Sequence, residues 1–239
     1  MSNSKLTTRN SKLKRGAKPS PRHMLAAAMP HIALVGAPPN FLIVPKKLSF
    51  WHNDTTGDCV TAEEAFAKAC HSPEIFITDD TVEVWAKAGG FWDGAYLTDV
   101  LKAMQTGGFN QDGNTYDDGA YYSVNWTDVA TLQSAISQGP VKIGVAADQL
   151  EAVVSPGKNG WFATGFKRDQ NEDHCVSLCG YGTINWLSQQ MGVKVPAGVD
   201  GTKPGFALFT WDSIGIIDFP SMVAITEEAW LRAPTTIVR

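Results

Sequence analysis

The chain has 239 residues, a mass of 25.8 kDa and a formal net charge of −4. Hydrophobic residues make up 44% and charged residues 18%, which excludes a mainly disordered chain. The charge is uneven: residues 1–22 hold seven Lys/Arg and no Asp/Glu, leaving 13 basic against 24 acidic residues in the remainder. So acidic a body is a poor candidate for a general nucleic-acid binder, which leaves the basic tail for any such contact. No run of about 18 apolar residues exists to form a transmembrane helix.

In chain order, residues 1–22 are rich in Ser, Thr, Lys and Arg without apolar periodicity and read as a flexible basic tail. Residues 23–50 carry four prolines and short apolar runs, which suits an extended arm. Residues 51–239 read as one domain. From Asp58 the pattern turns helical: Val60, Ala62, Ala65, Phe66 and Ala69 share a face, with Glu63, Glu64 and Lys68 expected on the solvated one. A second helix is expected over residues 96–105, before Gly107-Gly108, and a third from Thr127-Asp128 to Gly139-Pro140. Residues 110–120 read as a loop. Strands are expected over residues 141–147, 175–181 and 206–211, a long loop over 155–173 and a closing helix over 221–231. Helices first and strands later predict an α+β protein, its helical part packed on a mainly antiparallel sheet.

Cys59, Cys70, Cys175 and Cys179 are too few for a disulfide scaffold. Cys175 and Cys179 on one strand would lie about 13 Å apart, beyond the reach of a disulfide. Free thiols and a reducing compartment are the expectation. The basic start followed by residues 24–37 faintly resembles a secretory signal, but its basic region is long and Pro30 and His31 interrupt the apolar part. The expected location is intracellular or virion-associated.

A cysteine opening a helix feels the positive end of the dipole, which stabilises thiolate. Cys59 follows Gly57-Asp58 at such a start, and His174 stands at the head of an expected strand. An imidazole facing a helix N-terminus across a cleft can activate sulfur and protonate a leaving group. Without a C-x-x-C pair, the His and Cys residues do not form a zinc pattern, and no cofactor or metal is expected. Alternation places Cys175 and Cys179 on the face opposite His174, where they read as core residues.

Four blocks carry a family resemblance. Gly139-Pro140-Val141 entering a strand resembles the Gly-Pro-Val block of papain-like cysteine peptidases. Asp173-His174-Cys175 through Gly180-Tyr181-Gly182 resembles their histidine strand. Gly57-Asp58-Cys59 resembles the nucleophile segment, and Phe209-Thr210-Trp211 the strand whose Trp shields the histidine. The blocks follow the family's order, and the pattern looks like a divergent microbial or phage branch. The resemblance implies a papain-like α+β fold, with the helical part carrying Cys59 and the sheet carrying His174.

By the same resemblance, Cys59 is the nucleophile, His174 its base and Trp211 the shield of the histidine. Asn53, six residues before the cysteine, takes the place of the family's oxyanion-hole glutamine; an Asx-turn is an equal reading of that residue. The family's histidine-orienting Asn is Phe209 here, which leaves Thr210, Asp212 or a backbone carbonyl for that role. The implied activity is hydrolysis of peptide or related amide bonds, with a peptide or protein substrate; acyl transfer would use the same residues. The rival reading is a catalytically weak or inactive papain-fold structural or interaction protein, tied into a homo-oligomer, a virion or another assembly through residues 1–50. No membrane partner is expected.

Overall fold

The computed structural model describes residues 13–32 and 36–238. Along the chain run β1 (Ala17–Lys18), α1 (Arg22–Ala27), β2 (Phe41–Leu42), α2 (Cys59–Ala69), α3 (Asp79–Gly89), β3 (Ala95–Tyr96) and α4 (Leu97–Met104). Then come β4 (Phe109–Gln111), β5 (Asn114–Asp117), β6 (Tyr121–Ser123), α5 (Val129–Ile136), β7 (Val141–Val145), α6 (Asp148–Glu151) and β8 (Phe162–Ala163). The rest is β9 (His174–Thr183), α7 (Ile184–Gln190), β10 (Pro204–Thr210), β11 (Ser213–Asp218), α8 (Phe219–Ile225), β12 (Thr226–Arg232) and β13 (Thr236–Val238).

The main sheet has the order β6-β12-β7-β9-β10-β11-β8, with β2 also paired to β9. Its pairs are antiparallel except β11–β8. The fold is therefore mixed α+β around a mostly antiparallel sheet. Strand β9 is buried along its length except at Thr183, which makes it the spine of the domain. Val176 and Leu178 face one core with Val141, Ile143 and Trp211; Cys179 faces another with Trp51, Phe66 and Phe209. Cys59 and Cys175 share a third cluster with Ala95 and Trp230. All four cysteines are free thiols.

Several expectations change. Helix α2 has no solvated carboxylate face: Glu63 and Glu64 are 2% and 0% exposed. Glu64 accepts from Lys142 Nζ and, at 2.8 Å, from Arg232, while Lys68 pairs with Asp118, so buried charges compensate one another. The closing helix ends at Ile225, because Thr226 to Leu231 pair with β7 and bury Trp230 completely. The loop over 110–120 is a hairpin, turning on Asp112 (φ 52°) and Gly113 (φ 76°) between Gln111 and Asn114. Helix α3 was not anticipated, although Thr78 caps it, Asp79 and Asp80 fill its first turn and Gly90 closes it in a left-handed conformation.

The tail expectation also changes. Residues 1–12 lie outside the described residues, but residues 13–20 are packed against the body. Ala17 and Lys18 pair in parallel with Ala95 and Tyr96, and Ala17 and Ser20 are buried. The arm over 23–50 includes the short helix α1, and Phe41–Leu42 pair with Tyr181–Gly180.

Candidate active site

Helix α2 begins at Cys59 because Asp58 supplies the first accepting carbonyl, 2.8 Å from Thr61 N and 3.0 Å from Ala62 N. The turn before it is tight. Trp51 (φ 47°) and His52 (φ 72°) are left-handed, held by buried Trp51, whose Nε1 donates to Ile77 O at 2.8 Å. Asn53 is buried in this turn, and its Nδ2 donates to Thr56 O at 3.1 Å. Asp58 is fully buried, and burial pushes its carboxyl up to about 7, against hydrogen bonds from Thr56 and Asn53. The amide expected to face an oxyanion is thus engaged locally.

His174 opens β9 and is clamped from β10 and the turn that follows. Its Nε2 lies 2.7 Å from Thr210 Oγ1. The Trp211 indole stacks on the imidazole with ring centroids 4.1 Å apart and planes 10° from parallel. Thr210 pairs with Ser213 across a two-residue turn in which Trp211 (φ 44°) and Asp212 (φ 57°) are both left-handed. That is the hairpin geometry usually given to Asn or Gly, and bulky residues in it are strained. The strain delivers the indole flat onto His174. Of the candidate orienters, Thr210 meets the ring. Asp212 does not: Nε2 is taken by Thr210, and Nδ1 is buried with no hydrogen-bond partner among the described residues. Phe209 packs instead against Phe66, centroids 4.0 Å apart.

The two halves meet through the backbone. The Cys175 N–H, next in chain to His174, is directed at the Cys59 sulfur, and so is the Gly16 N–H. Gly16 belongs to the segment that covers the site. It passes Gly57 so closely that a Cβ there would lie 1.7 Å from the Gly57 carbonyl oxygen, so only glycine fits. Gly16 O accepts from Ala95 N at 2.9 Å, and Lys14 O accepts from Trp211 Nε1 at 3.0 Å. Arg15 is held by Asp148 and Asp173, each at 2.6 Å, and by Glu151. Burial opposes its charge, but these carboxylates prevail and raise its pKa.

The cover sets the electrostatics. Burial first, then Asp58 and Glu63, push the Cys59 thiol up to about 12, against the two N–H groups. Burial, then the Arg15 charge, push His174 down to about 3. With these shifts both groups are neutral near pH 7, Cys59 as a thiol and His174 as an imidazole. Among the described residues no group of three or more His, Cys, Asp or Glu could hold a metal ion, and no helix is long and apolar enough to cross a membrane.

The sequence reading missed the cover and its Arg15 clamp. The signal available was Gly16 among basic residues, too sparse to assign a partner.

No protein-family model matches the chain, and no curated protein matches it in sequence. Solved structures do. Xylellain, a cysteine protease from Xylella fastidiosa, is 13% identical with a TM-score of 0.62, over 97% of this chain and 98% of its own. Digestive procathepsin L 3 of Tenebrio molitor larval midgut is 13% identical with a TM-score of 0.59, over 93% of this chain and 76% of its own. Bromelain from Ananas comosus in complex with the E64 inhibitor is 12% identical with a TM-score of 0.55, over 82% of this chain and 99% of its own. With its Cys59 helix set against the His174 strand, this chain has the fold of the papain-like cysteine proteases.

Proposed function

We propose that the chain is a cysteine-dependent hydrolase of peptide or related amide bonds, held latent by its own residues 13–20. One observation carries the reading: His174 is fixed by Thr210 and Trp211 while the next residue's N–H is directed at Cys59. A pure scaffold needs neither the strained turn nor a buried imidazole nitrogen that lacks a hydrogen-bond partner among the described residues.

The chemistry follows from the tautomer. With Nε2–H donating to Thr210 Oγ1, Nδ1 presents its lone pair and takes the Cys59 thiol proton. The thiolate attacks the substrate carbonyl, and the resulting oxyanion sits at the N-terminus of α2, where the Cys59 N–H is a donor. The Asn53 amide joins it if it leaves Thr56 O. The imidazolium protonates the departing amine, and water then hydrolyses the thioester with Nδ1 again as base. Trp211 keeps solvent off the ring.

The cover blocks each step. It buries the sulfur, and its Arg15 charge disfavours imidazolium. Residues 13–20 are spent on the chain's own cleft, which favours latency over tying subunits together through this segment. Four free thiols fit a reducing compartment.

The test is Cys59 alkylation by iodoacetamide against pH, read by peptide mass spectrometry in wild type, Arg15→Ala, and Arg15→Ala with His174→Ala. The expected result is slow labelling of wild type, with fast labelling of Arg15→Ala that persists below about pH 6 and disappears with His174. An ordinary thiol profile near pH 8.5 in all three would overturn the reading.

A further inference from the structure

Helix α2 and strand β9 carry all four cysteines, and the packing sorts them into two pairs. Helix α2 starts at Cys59 and is capped at its far end by Cys70, while β9 holds Cys175 and Cys179. Cys59 and Cys175 share one buried cluster; Cys70 packs against the cluster that contains Cys179. The midpoint keeps the same register. Glu63, one turn after Cys59, faces Ser177, two residues after Cys175. One helical turn rises about 5.4 Å and two strand residues about 6.6 Å, so the two elements run in step. Cys59 therefore stands opposite Cys175, at one end of the interface, and Cys70 and Cys179 lie at the other.

At the nucleophile the contact is closer than shared burial. The Cys175 N–H is directed at the Cys59 sulfur. An amide nitrogen is one bond from its own Cα, so that sulfur adjoins the carbon that carries the Cys175 thiol. Disulfides join residues whose Cα atoms stand within about 7 Å, and Cys179 is about 13 Å further along the strand. Both Cys59 and Cys175 are free and buried. A buried thiol often serves as a small core group. What sets Cys175 apart is its neighbour, the one sulfur in this chain placed to become a thiolate.

Under the cover the pair is inert, because Cys59 is a buried neutral thiol. Once residues 13–20 leave, Cys59 is open to solvent beside His174, and thiolate is the form that peroxides oxidise.

We propose that Cys59 and Cys175 form a reversible disulfide when the uncovered chain meets hydrogen peroxide, with Cys175 as the resolving cysteine. The inference rests on the uncovered Cys59 being the reactive thiolate of the hydrolase reading. The thiolate attacks one peroxide oxygen, the O–O bond breaks, sulfur is oxidised to sulfenic acid and hydroxide leaves. The Cys175 sulfur then attacks the sulfenic sulfur. The S–O bond breaks, and the Cys175 thiol proton leaves with the hydroxyl as water. An external dithiol reduces the bond by exchange and returns both thiols. Without a resolving thiol, the sulfenic acid is oxidised onward to sulfinic acid, which thiols do not restore.

The test treats the full chain carrying Arg15→Ala with hydrogen peroxide, then alkylates and digests it without reductant for mass spectrometry. The expected product is a Cys59 peptide joined to a Cys175 peptide, two hydrogens lighter than their sum. Fragmentation within Val176-Ser177-Leu178 separates Cys175 from Cys179 and places the bond. Dithiothreitol should restore Cys59 alkylation. In Arg15→Ala with Cys175→Ala, Cys59 should instead reach sulfinic acid, and its recovery with dithiothreitol should fall about tenfold. Cys175→Ser serves the same purpose if the alanine variant fails to fold. A Cys59 bond to Cys70 or Cys179, sulfinic acid at Cys59 while Cys175 is present, or a Cys59 left unoxidised overturns the proposal. The hydrolase reading is judged separately, by His174-dependent alkylation of the untreated chain, which does not involve the Cys175 thiol.

Discussion

Trp211 lies flat on His174, and its indole nitrogen holds Lys14 O at 3.0 Å. One side chain therefore stacks on the imidazole and holds the segment that covers Cys59.

Arg15 is the bolt of that arrangement. Arg15→Ala removes the contacts to Asp148, Glu151 and Asp173 together. The expected outcome is at least a tenfold rise in Cys59 alkylation rate near neutral pH, with an apparent thiol pKa falling from its covered value of about 12. Limited proteolysis should show residues 13–20 cut faster in the variant. Unchanged labelling would mean that β1 and Gly16 hold the cover without the clamp.

Thr210 is expected to orient the ring. In the Arg15→Ala background, Thr210→Val should slow Cys59 alkylation by about tenfold, the equivalent of one lost hydrogen bond of about 1.4 kcal/mol. Thr210→Ser keeps the hydroxyl and should restore most of the rate. NMR of the imidazole would show the Nε2 proton losing its partner in the valine variant only.

The buried ion network should matter to stability rather than chemistry. Burial opposes the charge of Glu64, but Arg232 and Lys142 hold its carboxyl down at about 2. Lys142→Met leaves that carboxylate hydrogen-bonded to Arg232, with the Lys68 charge nearby. Breaking one member of a buried network costs about 3 kcal/mol or more, which urea denaturation would resolve. A loss below about 1 kcal/mol would show that Arg232 suffices.

The Glu172 carboxyl gives a signed pH dependence. Its folded pKa of about 10 lies above the usual carboxyl value because of burial and then Glu228. Between those values the unfolded chain has released the proton and the folded chain retains it, so stability falls as pH rises. The slope from this one group is at most about 1.4 kcal/mol per pH unit. Glu172→Gln removes it, so thermal melts from pH 6 to 9 should be flatter in the variant. Parallel curves for the two proteins would show that Glu172 ionises normally.

Much of this fold was legible in the residues. The Cys59 helix, the Gly139-Pro140-Val141 strand entry and the Asp173–Gly182 strand combine local periodicity with distinctive motifs, and all appear where expected. The Asp112-Gly113 hairpin and helix α3 carried readable turn and cap signals that the broader reading passed over. Other features depend on distant partners. Residues 226–231 became a strand because β7 offers a ladder and a buried place for Trp230. Glu64 looks like part of a solvated helix face until Lys142 and Arg232 arrive from 78 and 168 residues away. The choice of Thr210 over Asp212 required the left-handed turn, which two bulky residues do not announce.

Because Gly16 and Cys59 belong to one chain, the block on the sulfur is intramolecular. The occluding strand competes at an effective concentration on the order of millimolar, which dilution does not change. Lowering the protein concentration therefore cannot expose the thiol. A ligand acting in trans must exceed that local concentration in proportion to its affinity, whereas a single cut between β1 and α1 turns the same strand into an ordinary, dilutable competitor.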